Sequence, residues 1–144
     1  MDFSSYQSPL SWRYSTEEMR AIWSEERKRL IWRKLWVALA EVQAKYGITT
    51  PEQAADLATH AGQTDIPRAL EIEAEIRHDL MAEIKTFAEQ CPVGGGIIHL
   101  GATSMDIVDN ADALRVQQSL KLLRHRLAQL IAALLEKVEK YAAT

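Results

Sequence analysis

Three short runs in this 144-residue chain combine residue types able to hold an anionic ligand or move a proton. The first is Arg13-Tyr14: a rigid, permanently charged fork suited to phosphate or carboxylate, beside a ring that can stack and a hydroxyl that can hydrogen-bond. The second is Arg77-His78-Asp79, where an imidazole stands between opposite charges that can bring its pKa into a useful range. The third is Ile97-Ile98-His99-Leu100-Gly101-Ala102-Thr103-Ser104-Met105-Asp106. Gly94-Gly95-Gly96 lead into it, giving the backbone access to positive φ and to close approach by a ligand. Thr103 and Asp106 fit the capping signature in which a Ser or Thr is followed three residues later by an acid. A helix opening there aims free N–H groups and the Thr103 and Ser104 hydroxyls at whatever sits in front of it, an arrangement suited to a carboxylate or phosphate. An ordinary capped helix after a flexible turn, with His78 and His99 bonding backbone at helix breaks, accounts for the same residues.

Other chemistries find little footing. The histidines at 60, 78, 99 and 125 lack paired helical spacing with acidic partners, so no metal site is expected, and His60 and His125 read as solvated surface residues. Cys91 is the single cysteine, which excludes an internal disulfide and leaves no thiolate cluster. No P-loop, Rossmann or nucleophile-elbow glycine pattern occurs. A net charge of −3 gives no general nucleic-acid footprint. No apolar window approaches a membrane span and no leader pattern opens the chain, so no membrane partner and a cytoplasmic location are expected.

The elements that must position these residues read as helices only. Hydrophobic residues make up 47% of the chain, enough for a sizeable core. Residues 1–14 are polar and turn-like, and Ser15-Thr16-Glu17-Glu18 starts a short helix through Met19, Ile22 and Trp23. Ile31, Leu35, Leu39, Val42 and Tyr46 then recur at helical spacing up to a C-capping Gly47, with Trp32 and Trp36 as a second stripe. Thr50-Pro51-Glu52-Gln53 opens a helix ending at Gly62. Asp65 caps a single pattern from Pro67 to Gln90, stopped by Cys91-Pro92. From Thr103 onward neither glycine nor proline appears, and Leu120, Leu123, Leu127, Leu130, Leu134, Val138 and Tyr141 follow a heptad-like alternation. Such a helix would run roughly 60 Å, with Leu122–His125 as the place for a kink. It carries no stop signal, which reads as a piece of a longer protein.

Together Ser11-Trp12-Arg13-Tyr14-Ser15, Ile76-Arg77-His78-Asp79-Leu80-Met81-Ala82, Ile98-His99-Leu100-Gly101-Ala102-Thr103-Ser104 with Asp109-Asn110, and the tryptophan-rich Trp32-Arg33-Lys34-Leu35-Trp36 resemble the N-terminal portion of adenylosuccinate lyases, in the fumarase/aspartase superfamily. The resemblance implies an all-α fold: an N-terminal helical domain over 1–102, then the first long helix of a central bundle over 103–144. It implies a cytoplasmic enzyme of purine synthesis that splits adenylosuccinate into AMP and fumarate, and the related succinyl-carboxamide ribotide SAICAR into AICAR and fumarate, without a cofactor and as a homotetramer. Carried over residue by residue, the substrate contacts fall on Arg13, Tyr14, Arg77, His78, Asp79, Thr103 and Ser104. Supporting catalytic roles fall on His78 and His99. The family's base, a serine in a Ser-Ser-x-Met-Pro-x-Lys-x-Asn-Pro loop, and its acid, a histidine in a later Thr-His motif, have no counterpart in these 144 residues. The alternative is a non-catalytic, nucleotide-binding helical module that keeps the lyase motifs as scaffold.

Overall fold

Helix ends follow the capping chemistry of the sequence. The computed structural model describes residues 5–143 and contains a π-helical turn, Leu10–Tyr14, then α1 (Glu17–Ile22), α2 (Glu25–Lys45), α3 (Pro51–His60), α4 (Ile66–Ile76), α5 (Asp79–Gln90), a 3-10 turn (Gly95–Ile97) and α6 (Ser104–Tyr141). No strand occurs among the described residues, so the fold class is all-α. Thr16 rather than Ser15 caps α1, its hydroxyl accepting from Met19 N–H at 3.2 Å. Ser24 caps α2, Thr50 and Gln53 form a reciprocal box at α3, and Asp65 caps α4. Gly47, at φ 70, closes α2: its N–H bonds Ala44 C=O and the next N–H, of Ile48, bonds Gln43 C=O, the two bonds of a Schellman motif.

Two expectations give way. The single pattern from Pro67 to Gln90 is two helices, because Arg77 sits in the left-handed region (φ 57, ψ 36) and His78 is extended and caps α5. Neither glycine nor proline marks this break, and only the run of three ionisable side chains hints at it. On α2 the buried residues are Arg29, Ile31, Trp32, Arg33, Trp36 and Ala40, while Leu35 and Leu39 are half-buried and Val42 and Tyr46 exposed. Ile31 is the one buried member of the first stripe, and the second therefore carries most of the core side. Its two arginines hid it from a reading based on apolar spacing.

The chain divides into two compact units, Trp23–Asp112 and Met1–Ile22 with Ala113–Thr144. In the larger unit Trp32, Trp36, Leu57, Leu80, Phe87, Ile107 and Ala111 form the core, with the Trp36 and Phe87 rings stacked at 6.3 Å. Glu83, fully buried, accepts from Arg29 Nη1 at 2.8 Å and from Arg33 Nε at 2.6 Å, pinning α5 to α2. Arg33 further donates to Gln63 C=O at 3.0 Å and to Gln90 at 2.7 Å, and its guanidinium lies over the Phe87 ring. In the smaller unit Arg115 Nε donates to Ile22 C=O and Arg126 pairs with Glu18 at 2.6 Å. α6 runs without a break through Leu122–His125. Its stripe of Leu120, Leu127, Leu134 and Val138 is 54–63% exposed.

Candidate functional site

Two loops of the larger unit carry most of the residues singled out by type. At the α4–α5 junction, His78 Nδ1 accepts from Met81 N–H at 3.3 Å. A backbone N–H only donates, so the ring proton of a neutral His78 resides on Nε2. Asp79 accepts from Leu80 N–H at 2.7 Å and lies 3.8 Å from His78 Nδ1. Arg77 is exposed, its guanidinium makes no ion pair or hydrogen bond among the described residues, and it rims a hollow of about 380 Å³ with Leu70, Glu73 and Ala74. An unpaired arginine beside a histidine donor is a setting for an anion.

The second loop precedes α6. Gly94 and Gly95 do not take positive φ there, contrary to the expectation for the glycine run. They are needed for packing: a Cβ on Gly94 would lie 2.5 Å from Gln53 O, and one on Gly95 would lie 2.8 Å from Ala88 O. Positive φ falls instead on His99 (68) and Gly101 (73). Gln43 Nε2 donates to Leu100 C=O at 2.7 Å, and Trp36 Nε1 donates to His99 Nδ1 at 3.2 Å, so α2 holds the loop at two points. Burial lowers the His99 pKa; the Asp106 charge opposes that and the nearby His78 adds to it, which brings both loops within electrostatic reach of one ring.

At the start of α6, Asp106 accepts from Thr103 N–H at 2.8 Å, half of the expected capping box. The reciprocal bond, from Asp106 N–H to the Thr103 hydroxyl, is not made, and neither Thr103 nor Ser104 uses its hydroxyl within the described residues. Of the N–H groups at this end, Thr103 N–H is taken by Asp106 and Asp106 N–H by Thr103 C=O at 3.1 Å, while those of Ser104 and Met105 have no acceptor among the described residues. Exposed Thr103 and half-buried Ser104 thus keep two unused hydroxyls at a positive helix end that the Asp106 carboxylate occupies only in part. Arg13 and Tyr14 belong to the smaller unit, within the π-helical turn; both are exposed, and the Arg13 guanidinium sits 4.5 Å over the ring of Trp12.

Sequence reasoning missed one cluster. His60 is not a freely solvated surface residue: it stands one turn from Asp56 on α3, and with Cys91 their ligand atoms lie within 4.8 Å of one another. Helical spacing did hold the Asp56–His60 pair, while Cys91 joins from 31 residues beyond His60, at the end of α5. Asp56 accepts from Gly94 N–H at 2.7 Å and Val93 N–H at 2.9 Å, which hold its carboxyl below the ordinary carboxylate range. Burial pushes the Cys91 thiol up to about 11, with the Asp56 charge adding to it. A carboxylate already engaged by two N–H groups and a thiol kept protonated make this cluster a clamp on the turn that leads to His99.

The fold is that of a fumarate lyase. A crystal structure of a fumarate lyase from Mesorhizobium sp. BNC1 superposes with a TM-score of 0.72 over 80% of this chain and 28% of that one, at 24% identity. No family model matches the chain. Sequence narrows the class. The chain is 39% identical over 144 residues to the adenylosuccinate lyase of Saccharomyces cerevisiae, covering 97% of the chain and 30% of the relative. It is 39% identical to that of Schistosoma mansoni (94% of the chain, 28% of the relative) and 40% identical to that of Pyrococcus horikoshii (94% and 31%). The chain is thus a homologue of the adenylosuccinate lyases and spans about 30% of the length of the curated relatives it matches.

Proposed function

We propose that this chain supplies substrate-holding groups of a carbon–nitrogen lyase that eliminates fumarate from adenylosuccinate, leaving AMP, and from SAICAR, leaving AICAR. The observation that carries the reading is the start of α6, where the unspent hydroxyls of Thr103 and Ser104 stand beside the unbonded N–H groups of Ser104 and Met105 at the positive end of a 38-residue helix. That arrangement suits a succinyl carboxylate. Arg77, without an ion-pair partner, adds positive charge, and His78 offers an Nε2–H donor to the departing side of the substrate. Arg13 suits the nucleotide phosphate and Tyr14 its ring or sugar. Asp79 orients the junction through Leu80 N–H.

Elimination removes a proton next to a carboxylate, stabilises the carbanion-like intermediate with fixed donors, and protonates the leaving nitrogen. The residues here serve the binding and stabilising parts. Neither proton-transfer motif of the family is in these 144 residues, so the chain alone binds without turnover. Within this reading residues 1–102 form the N-terminal domain, residues 103–144 begin a central bundle, and the working enzyme is a cytoplasmic homotetramer that needs no cofactor. Residues 120–141 would supply bundle surface.

The test is an NMR titration of the chain with AMP and with succinate. Backbone amides of Arg77–Asp79 and Ser104–Asp106 are expected to shift at millimolar ligand, and Ser104→Ala with Thr103→Val to weaken the succinate response. No response at either loop would overturn the reading.

A further inference from the structure

Indole Nε1–H can donate a hydrogen bond and cannot accept one. Its 3.2 Å contact with His99 Nδ1 therefore requires a lone pair on Nδ1, which places the single proton of the neutral ring on Nε2. Both partners are anchored by their surroundings. Trp36 is 1% exposed, stacked on Phe87, and edge-on to the imidazole at 6.1 Å and 86°. His99 sits at φ 68, between buried Ile98 and a Leu100 carbonyl tied to Gln43. Protonation of Nδ1 would set two N–H groups against each other and lose the bond. The remaining nitrogen, Nε2, has no hydrogen-bond partner among the described residues, yet is not one of the buried unpartnered atoms, so solvent reaches it.

We propose that Trp36 is a positioning residue that holds His99 as a neutral Nε2–H donor, offered to an anionic oxygen of the ligand. In that state His99 is not a base at Nε2, because the proton is already there. It is not an acid of ordinary strength either, since losing that proton would leave an imidazolate. Its role is to hold charge without adding any. The charged and titratable groups acting on it are Asp106 at the start of α6, which favours the cation, and His78 at the α4–α5 junction, which opposes it. The identity of the anion rests on the lyase reading above; the tautomer does not.

The experiment is a long-range 1H–15N correlation spectrum of the uniformly 15N-labelled chain, recorded ligand-free across a pH series. A single His99 tautomer protonated at Nε2 is expected, with the Trp36 indole N–H resonance shifting and its exchange with water accelerating as His99 takes up a proton. Trp36→Phe should give a mixture of tautomers and a higher His99 titration midpoint. Should that variant fail to fold, the spectrum of the unmodified chain still decides. A ring protonated at Nδ1, an even mixture in the unmodified chain, or an indole N–H indifferent to His99 protonation would overturn the proposal. Addition of succinate and of inorganic phosphate separates the two sources of anionic oxygen: a shift at His99 Nε2 with either supports the donor role and names the chemistry. Silence with both at millimolar concentration overturns it. Failure of the lyase reading is distinguishable, because it would appear as absent AMP and succinate responses at Arg77–Asp79 and Ser104–Asp106 while the ligand-free tautomer stands.

Discussion

Removing the carboxylate of Glu83 should cost this chain a large part of its stability. The residue is fully buried between two arginines that are themselves 1% and 0% exposed, and its two oxygens take one short bond from each. In Glu83→Ala, Arg33 keeps Gln63 C=O and the Gln90 side chain, whereas Arg29 keeps only looser pairs with Glu25 at 3.7 Å and Glu73 at 3.8 Å. Arg29 Nε and Arg33 Nη2 already lack hydrogen-bond partners, so there is little in reserve to absorb the loss of the carboxylate. Breaking a buried pair from one side costs about 3–5 kcal/mol, against a total of about 5–15 kcal/mol for a domain. Urea unfolding followed by circular dichroism should show the midpoint falling with an unchanged slope, and the melting temperature should drop by roughly 6–20 °C at about 2–4 °C per kcal/mol. Replacing the whole triad, as Arg29→Met, Arg33→Leu and Glu83→Met, should restore most of the loss, because desolvation of the ions is then avoided. A loss below about 1 kcal/mol for Glu83→Ala at constant slope would refute the account of how α5 is held to α2.

Three further outcomes are expected. Asp56→Asn should loosen the turn before His99 by about 1–3 kcal/mol. Because the folded-state pKa of Asp56 lies below its ordinary value of 3.8, its contribution is present above that pH and is lost as pH falls through the folded value, so acid unfolding should start at higher pH in the unmodified chain than its neutral-pH stability alone dictates, and Asn should flatten that dependence. Gly94→Ala, whose Cβ meets Gln53 O at 2.5 Å, should destabilise by about 1–3 kcal/mol, while Gly96→Ala, which meets nothing within 4 Å, should be close to neutral in the same unfolding assay. The exposed apolar stripe of α6 should drive self-association of the chain, and Leu127→Glu with Leu134→Glu should give monomers by sedimentation without unfolding the larger unit; a monomeric unmodified chain at high concentration would contradict this.

Helix ends at Thr50, Asp65 and Gly47 were legible in the sequence because caps are local, acting on residues within a turn of themselves. The break at Arg77 was not, because a left-handed arginine is held by the packing of α4 on α5 rather than by its own conformational preference. The buried face of α2 was obscured for a related reason. Arg29 and Arg33 read as surface residues until Glu83, fifty positions beyond Arg33, is placed against them. Long-range partnerships account equally for Cys91 joining the local Asp56–His60 pair and for the bond from Trp36 to His99. The chemistry of the candidate residues was plainer than their setting. Arg77, His78, Thr103 and Ser104 stand out by type and spacing, but the choice of proton-bearing nitrogen on His78 and His99 follows only from what each ring faces.

The central claim is that these residues hold the substrate of a carbon–nitrogen lyase, and its most direct test supplies the rest of the machinery. In a chimaera, residues 1–144 would replace the matching segment of the Saccharomyces cerevisiae adenylosuccinate lyase, which aligns with 97% of the chain. Fumarate release from adenylosuccinate would be followed by absorbance. The account predicts a folded, assembled chimaera that turns over substrate, with Arg77→Ala or the Thr103→Val, Ser104→Ala pair lowering kcat/KM at least tenfold, the effect of losing about 1.4 kcal/mol of transition-state binding. A folded and assembled chimaera that releases no fumarate, or whose turnover is indifferent to those substitutions, would contradict it.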